Sequence, residues 1–263
     1  DLRVAFGEGW GNALSAMITD DRYYRDSDGD AQSNGFYTDI EDNEIVNPGW
    51  FSEGSVQSIL YDLYDTDSDG ADQSALGLGP IYRTLVSDAY SNTPWMTSIF
   101  SFVEELNTQQ TNSGIDALLT AQGIDGVGGD GAGETHDGGI ASVLPVYHRA
   151  TVNGAALTGL CGGSEAGTYN KLGNRVFVGF EVLNQGDHDF VVTQIPDENQ
   201  QTNADIDFYI FRQGVSVAFG ESYASGEERL TDELAEIGDY MMDIYLYEDG
   251  EHPQTCFDLQ ISR

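Results

Sequence analysis

Lysine is almost missing from these 263 residues: Lys171 is the only one, and ten basic residues in all face 45 acidic ones, for a net charge of −35. A surface of that sign repels nucleic acid and anionic membrane and keeps the chain dissolved, so nucleic acid is excluded as a partner. Long hydrophobic runs are missing too. No stretch approaches the ~18 apolar residues of a membrane span, and no leader-like segment opens the chain. Cysteine is down to two residues, Cys161 and Cys256. A lone pair in an otherwise Cys-free chain predicts one disulfide and an oxidising compartment, hence a secreted, cell-surface or periplasmic protein; the alternative is two buried free thiols. Gly-x-Ser-x-Gly is absent and the four histidines, His136, His148, His188 and His252, stand apart, so serine-nucleophile chemistry has no support. Gly126-Val-Gly-Gly-Asp-Gly131 imitates a phosphate-binding fingerprint, but it follows no predicted strand, opens no predicted helix and is acidic.

What is present suffices for one or two domains: 40% of the residues are hydrophobic. The opening stretch, Phe6-Gly-Glu-Gly-Trp-Gly-Asn-Ala-Leu-Ser-Ala-Met17, carries Phe6, Trp10, Ala13, Leu14, Met17 and Ile18 at helical spacing. Gly7, Gly9 and Gly11 each cost a helix about 1 kcal/mol against Ala, which points to a backbone that something approaches closely. Glu8, Asn12 and Ser15 form the polar stripe opposite. Val56, Ile59, Leu60, Leu63 and Tyr64 predict a second helix, with Ser52 or Ser55 as N-cap. A third is expected from Pro80 to Ala89, a fourth after a cap at Thr93-Pro94 with Met96, Ile99, Phe100, Val103 and Leu106 inward, and a last one around Ile115–Gln122.

From Gly123 to Gly139 nearly half the residues are glycine, the texture of a linker or mobile loop. Beyond it the period falls to two: Val176–Val182, Ile206–Ile210, Val215–Phe219, Tyr240–Leu246 and Phe257–Ile261, with turns at Gly186-Asp187, Gln213-Gly214 and Asp249-Gly250. Six to eight short strands predict an antiparallel, jelly-roll-like β-sandwich. The expected architecture is therefore an α+β multidomain chain: an all-α domain over 1–122, a Gly-rich linker over 123–140, and a sandwich over 141–263.

Gly7-Glu8-Gly9-Trp10-Gly11-Asn12 resembles the glutamate helix of gluzincin zinc peptidases of the fungalysin and thermolysin type. The resemblance implies that Glu8 is a zinc ligand, with Asn12 where those families place a supporting Asp. Ser52-Glu-Gly-Ser-Val56 resembles the start of the next helix of fungalysin-type enzymes. Their His-Glu-x-x-His, which supplies two ligands and the general base, is not in this chain, so the resemblance reads it as the C-terminal part of a longer protein, the missing N-terminal portion being its partner at the metal. Zinc is thus expected only with that portion, and no peptidase activity is expected from this chain alone. Ala204–Phe211, Gly238–Tyr245 and Thr255–Ile261 resemble the prepeptidase C-terminal domain, a module appended to secreted bacterial peptidases; the likeness covers about Asn174–Ser262.

Two acidic runs are candidate calcium ligands. Asp65, Asp67 and Asp69 match the D-x-D-x-D-G start of a calcium loop, although Leu76 stands where a bidentate Glu belongs; Asp26, Asp28 and Asp30 form a looser version. The lysine-poor, Asp-rich composition resembles that of proteins from marine or saline organisms. Two functions follow as expectations: the C-terminal part of a secreted zinc metallopeptidase acting on polypeptides, or a non-catalytic extracellular protein on a degenerate peptidase-like scaffold that binds polysaccharide or protein.

Overall fold

The computed structural model describes residues 1–41, 45–68, 70–163, 170–197, 203–247 and 254–263. The chain divides into two compact units, Leu2–Ser91 with Met96–Gly138, and Asp1 with Asn92–Trp95 and Gly139–Arg263. The fold class is α+β, as the change of period indicates.

The first unit is built on α1 (Leu2–Thr19) and α2 (Glu53–Tyr64). Helix α2 follows its pattern: Ser52 caps it by accepting from the Ser55 amide, and Val56, Ile59, Leu60 and Leu63 are buried. Helix α1 is rotated from the expected face. Leu2, Ala5, Phe6, Gly9, Ala13, Ala16 and Met17 are buried, while Trp10 and Leu14 are half-buried and Ile18 is 68% exposed. The reason is Gly9, where a Cβ would stand 2.6 Å from Val56 Cβ and 2.8 Å from the Glu53 carbonyl oxygen. The two helices meet at this bare backbone, and the buried stripe is centred on it.

The polar segment after α1 forms a hairpin, β1 (Tyr23–Asp28) with β2 (Asn34–Asp39). The helix expected from Pro80 to Ala89 is two pieces, α3 (Leu78–Leu85) and a single turn, α4 (Asp88–Ser91). Helix α5 (Ile99–Gln109) is capped by Ser98 in a reciprocal box with Ser101 rather than at Thr93. Helix α6 (Ile115–Ala121) closes the helical set.

The glycine-rich stretch belongs to this unit up to Gly138, so the expected linker is a folded loop. Val127 and Ala132 exchange backbone hydrogen bonds of 2.9 and 2.7 Å. A Cβ on Gly126 or Gly131 would stand 2.8 Å from the Phe100 ring, so at these two positions glycine lets the backbone lie on an aromatic face. The carboxylate of Glu134, buried, accepts from the amides of Asp125, Gly126, Thr135 and His136 at 2.8–3.3 Å. Burial, and then the Asp125 carboxyl beside it, push Glu134 above the ordinary carboxylate range, while Asp125 is held low by that contact and by Thr135.

The second unit is a two-sheet sandwich. One sheet runs in the order β3 (His148–Arg149), β5 (Arg175–Val182), β10 (Gly238–Leu246), β7 (Ile206–Arg212), β8 (Val215–Gly220). The other runs β4 (Leu157–Gly162), β11 (Thr255–Ser262), β6 (Gly186–Gln194), β9 (Glu227–Leu234). Every pairing is antiparallel except that of β3 with β5. Val178, Phe180, Phe208, Ile210, Met242 and Ile244 of the first sheet share a core with Phe190, Val192, Phe257 and Leu259 of the second. Gln213-Gly214 turns β7 into β8 with both φ angles positive, at 49° and 73°. The turn expected at Gly186 is instead the start of β6, and that at Asp249-Gly250 lies outside the described residues.

Cys161 and Cys256 form the disulfide. Cys161 occupies β4 directly opposite Cys256 of β11. Residues 255–262 alternate strictly, with Phe257, Leu259 and Ile261 inward, which leaves Cys256 on the other face.

Candidate functional site

Gly7, Glu8 and Gly11 lie on the exposed side of α1. Glu8 is exposed, and a Cβ added at Gly7 or Gly11 would meet nothing within 4 Å. Asn12, one turn on, is tied to α2: its Nδ2 donates to Gln57 Oε1 at 2.9 Å. Tyr24 of the hairpin donates to Asp26 at 2.8 Å, and its phenol is pushed up to about 12 by that hydrogen bond first, then by its burial and by the negative charges of Asp26, Glu8 and Glu53. Glu8 of α1 and Glu53 of the first turn of α2 are thus near enough to Tyr24 of the hairpin for their charges to act on its phenol. Glu53 had no mark in the sequence beyond its place in the α2 start.

The acidic runs sit differently. Asp26, Asp28 and Asp30 line the exposed tip of the β1–β2 hairpin, where Asp26 is already engaged by Tyr24 and by the Ser27 amide at 2.7 Å. Asp65 ends α2 and Asp67 follows it; Asp69 lies outside the described residues. Burial raises the Asp65 carboxyl, opposed by a hydrogen bond with Glu41, while Asp72 and Asp67 add like charge. The neighbours of Asp65 are therefore Glu41 and Asp72, which the D-x-D-x-D pattern did not indicate. Among the described residues no three His, Cys, Asp or Glu side chains are placed to hold a metal ion. The described residues do not by themselves fit zinc, since no such trio forms around Glu8.

The sandwich carries an aromatic outer face on its five-stranded sheet. Tyr209 and Tyr245 lie 6.1 Å apart and 6° from parallel, Phe219 stands 6.0 Å from Tyr209 and is 56% exposed, and the Arg175 guanidinium sits 4.0 Å over Tyr245. Both tyrosine hydroxyls donate to Glu221. Asp207, buried on the same face, is pushed up to about 6 by its burial and then by Asp205, Glu221 and Glu228. A carboxyl raised in the folded state contributes stability that is whole below its unfolded value near 3.8 and is lost as pH rises through about 6. Asp207→Asn is therefore expected to raise the melting temperature at pH 7 and leave it almost unchanged at pH 4. Equal shifts at both pH values would show that Asp207 titrates normally.

The fold and these surfaces define a two-unit chain: a helical unit with one open carboxylate-bearing helix face, followed by a disulfide-linked β-sandwich. No known protein family matches the chain, and no curated protein matches it. Among solved structures it is similar over 44% of its length to the pre-peptidase C-terminal domain of a collagenase from Bacillus anthracis, with 13% identity, a TM-score of 0.32 and 93% of that chain covered. Over the same share it is similar to PliG of Aeromonas hydrophila, a periplasmic inhibitor of g-type lysozyme (14% identity, TM-score 0.26, 97% of that chain). A third, CorA, is a surface-associated copper-binding protein of Methylomicrobium album BG8 (7% identity, TM-score 0.30, 98% of that chain). The first is the kind of domain that the strands Ala204–Phe211, Gly238–Tyr245 and Thr255–Ile261 resemble. Likenesses this distant say nothing of activity or ligand. Among the described residues, no helix is long and apolar enough to cross a membrane.

Proposed function

We propose that this chain is the C-terminal part of a secreted zinc metallopeptidase-like protein, in which α1 contributes Glu8 to a metal centre completed by histidines outside these residues and the sandwich is an appended non-catalytic binding module. The observation that supports this reading is the asymmetry of the three glycines in α1. Gly9 is needed for contact with α2, whereas Gly7 and Gly11 leave backbone bare on the face that carries Glu8, with none of the described residues within 4 Å of a Cβ at either. Bare helix backbone costs about 1 kcal/mol per glycine, and close approach by another segment is the standard use for it. The disulfide supports an oxidising, extracytoplasmic setting.

Two measurements test the reading. The coding sequence upstream of Asp1 is expected to specify His-Glu-x-x-His; a parent protein without it overturns the proposal. The isolated chain is expected to leave casein and short peptides uncut, with or without added zinc. Zinc-dependent turnover that survives Glu8→Ala would show that the centre lies elsewhere, and turnover abolished by Glu8→Ala would show that this chain carries its own remaining ligands.

A further inference from the structure

The helical unit holds a cavity of about 470 Å³, the size of a small-molecule site. Three segments wall it. Helix α5 lines it with Phe100, Val103 and Glu104, and α6 with Asp116 and Leu119. Spacings of three and four residues put each set on one face of its helix. The start of the glycine-rich loop, from Ile124 to Gly128, forms the third wall. The lower part of the cavity is apolar. Phe100, Leu119 and Ile124 are buried, and Phe100 lies against the loop backbone, where a Cβ on Gly126 would stand 2.8 Å from its ring. Val127 of the same loop also lines the cavity and is 66% exposed, so apolar surface is left for a ligand to cover.

The rim carries charge of one sign. Glu104 and Asp116 are exposed, and neither carboxylate makes a hydrogen bond or an ion pair with the described residues. Glu104 Oε1 stands 3.9 Å from where a Cβ on Gly128 would lie, which sets it at the lip of the loop. Asp125, the third carboxylate of the lining, is positioned by the Thr135 amide and hydroxyl at 3.1 and 2.8 Å. Among the described residues no lysine, arginine or histidine lines the cavity. Acidic side chains are common on this chain, so the charge alone selects nothing. The combination does: an apolar anion would meet three carboxylates, a neutral apolar molecule would gain nothing from them, and a bare metal ion would gain nothing from Phe100, Leu119 and Ile124.

We propose that this cavity binds a small organic cation, an apolar ring or chain lying on Phe100, Leu119 and Ile124 and ending in an amine that Glu104 and Asp116 receive. Charge-assisted hydrogen bonds to two otherwise unengaged carboxylates orient the amine, and the buried apolar area supplies the rest of the affinity. The site lies wholly within the helical unit and does not depend on the Glu8 reading; its failure would leave that reading standing.

Calorimetric titration of the whole chain decides it, with phenylpropylamine as probe against phenylpropanol, phenylpropionate and propylamine. Phenylpropylamine is expected to bind saturably, and the other three at least about tenfold more weakly, since each lacks either the positive charge or the apolar body. The double variant Glu104→Gln/Asp116→Asn should bring the amine down to the affinity of the alcohol. A second double variant, Asp187→Asn/Glu233→Gln, removes the same charge from exposed positions of the sandwich and should leave binding unchanged. It separates a site from the general attraction of a cation to an acidic chain. All four substitutions are at the surface, and both variants are checked for a cooperative melt. The alcohol binding as tightly as the amine, no heat from the amine at millimolar concentration, or a loss no greater in the first double variant than in the second would each overturn the proposal.

Discussion

Reduction of the Cys161–Cys256 bond is expected to cost the sandwich about 4–5 kcal/mol, the chain-entropy value for a closed loop of 95 residues. On the usual scale for a domain of this size that corresponds to a drop in melting temperature of roughly 15 °C or more. The effect should be concentrated at one place. Strand β4 lies at the end of its sheet and pairs there with β11 alone, so the bond pins a terminal strand to the last strand in sequence. A melt followed by β-sheet circular dichroism, with and without reductant, measures it, and the Cys161→Ser/Cys256→Ser double variant checks that the reductant itself is not the cause. A shift below a few degrees would mean that β4 and β11 hold by packing alone. Uptake of two alkyl groups by the unreduced, denatured protein would remove the bond, and with it the main argument for secretion.

The second large effect concerns α1, and its sign changes from one glycine to another. Gly9→Ala places a methyl 2.6 Å from Val56 Cβ and 2.8 Å from a backbone oxygen. The overpacking costs about 1–3 kcal/mol, and the backbone oxygen cannot move aside as a side chain could. The gain in helix propensity, about 1 kcal/mol, does not offset the upper part of that range. Gly7→Ala and Gly11→Ala meet open space and should each stabilise the chain by up to about 1 kcal/mol. Three denaturant titrations suffice: a midpoint lowered for Gly9→Ala and raised for the other two is the expected pattern. If Gly7→Ala or Gly11→Ala also destabilises, their side of α1 is covered by this chain and is not free for another segment.

The same helix shows what could be read in advance and what could not. Its position and polar stripe were visible in the spacing of Phe6, Ala13 and Met17, but its first turn, with Leu2 and Ala5 buried, was not. Its true inward face was not, because the residue that centres it, Gly9, adds nothing to a hydrophobic pattern. Helix α2 was legible in its cap and its apolar stripe, though not in the burial of its other side, where Gln57, Ser58 and Asp62 are covered too. Strands with largely apolar inward positions, such as β10 and β11, were legible from their alternation. Strand β9 was not: its inward positions include Glu228 and Asp232 beside Leu230 and Leu234, so no alternation of polarity marks it. Strand β6 was obscured by His188 and Gln194 among its inward residues. The glycine-rich stretch misled in the opposite direction, for glycine marks close approach as readily as freedom, and only Phe100 decides between them.

That stretch also has an unusual grammar of opening. Four backbone amides, those of Asp125, Gly126, Thr135 and His136, share one acceptor group, the Glu134 carboxylate. Protons held by separate partners exchange with solvent one at a time, each at its own rate; protons held by one partner leave together. The two ends of the loop, nine residues apart between Gly126 and Thr135, are thus tied through the Glu134 carboxylate, with Asp125 as a second acceptor for the Thr135 amide at 3.1 Å and its hydroxyl at 2.8 Å, and are expected to open together instead of fraying from the glycines.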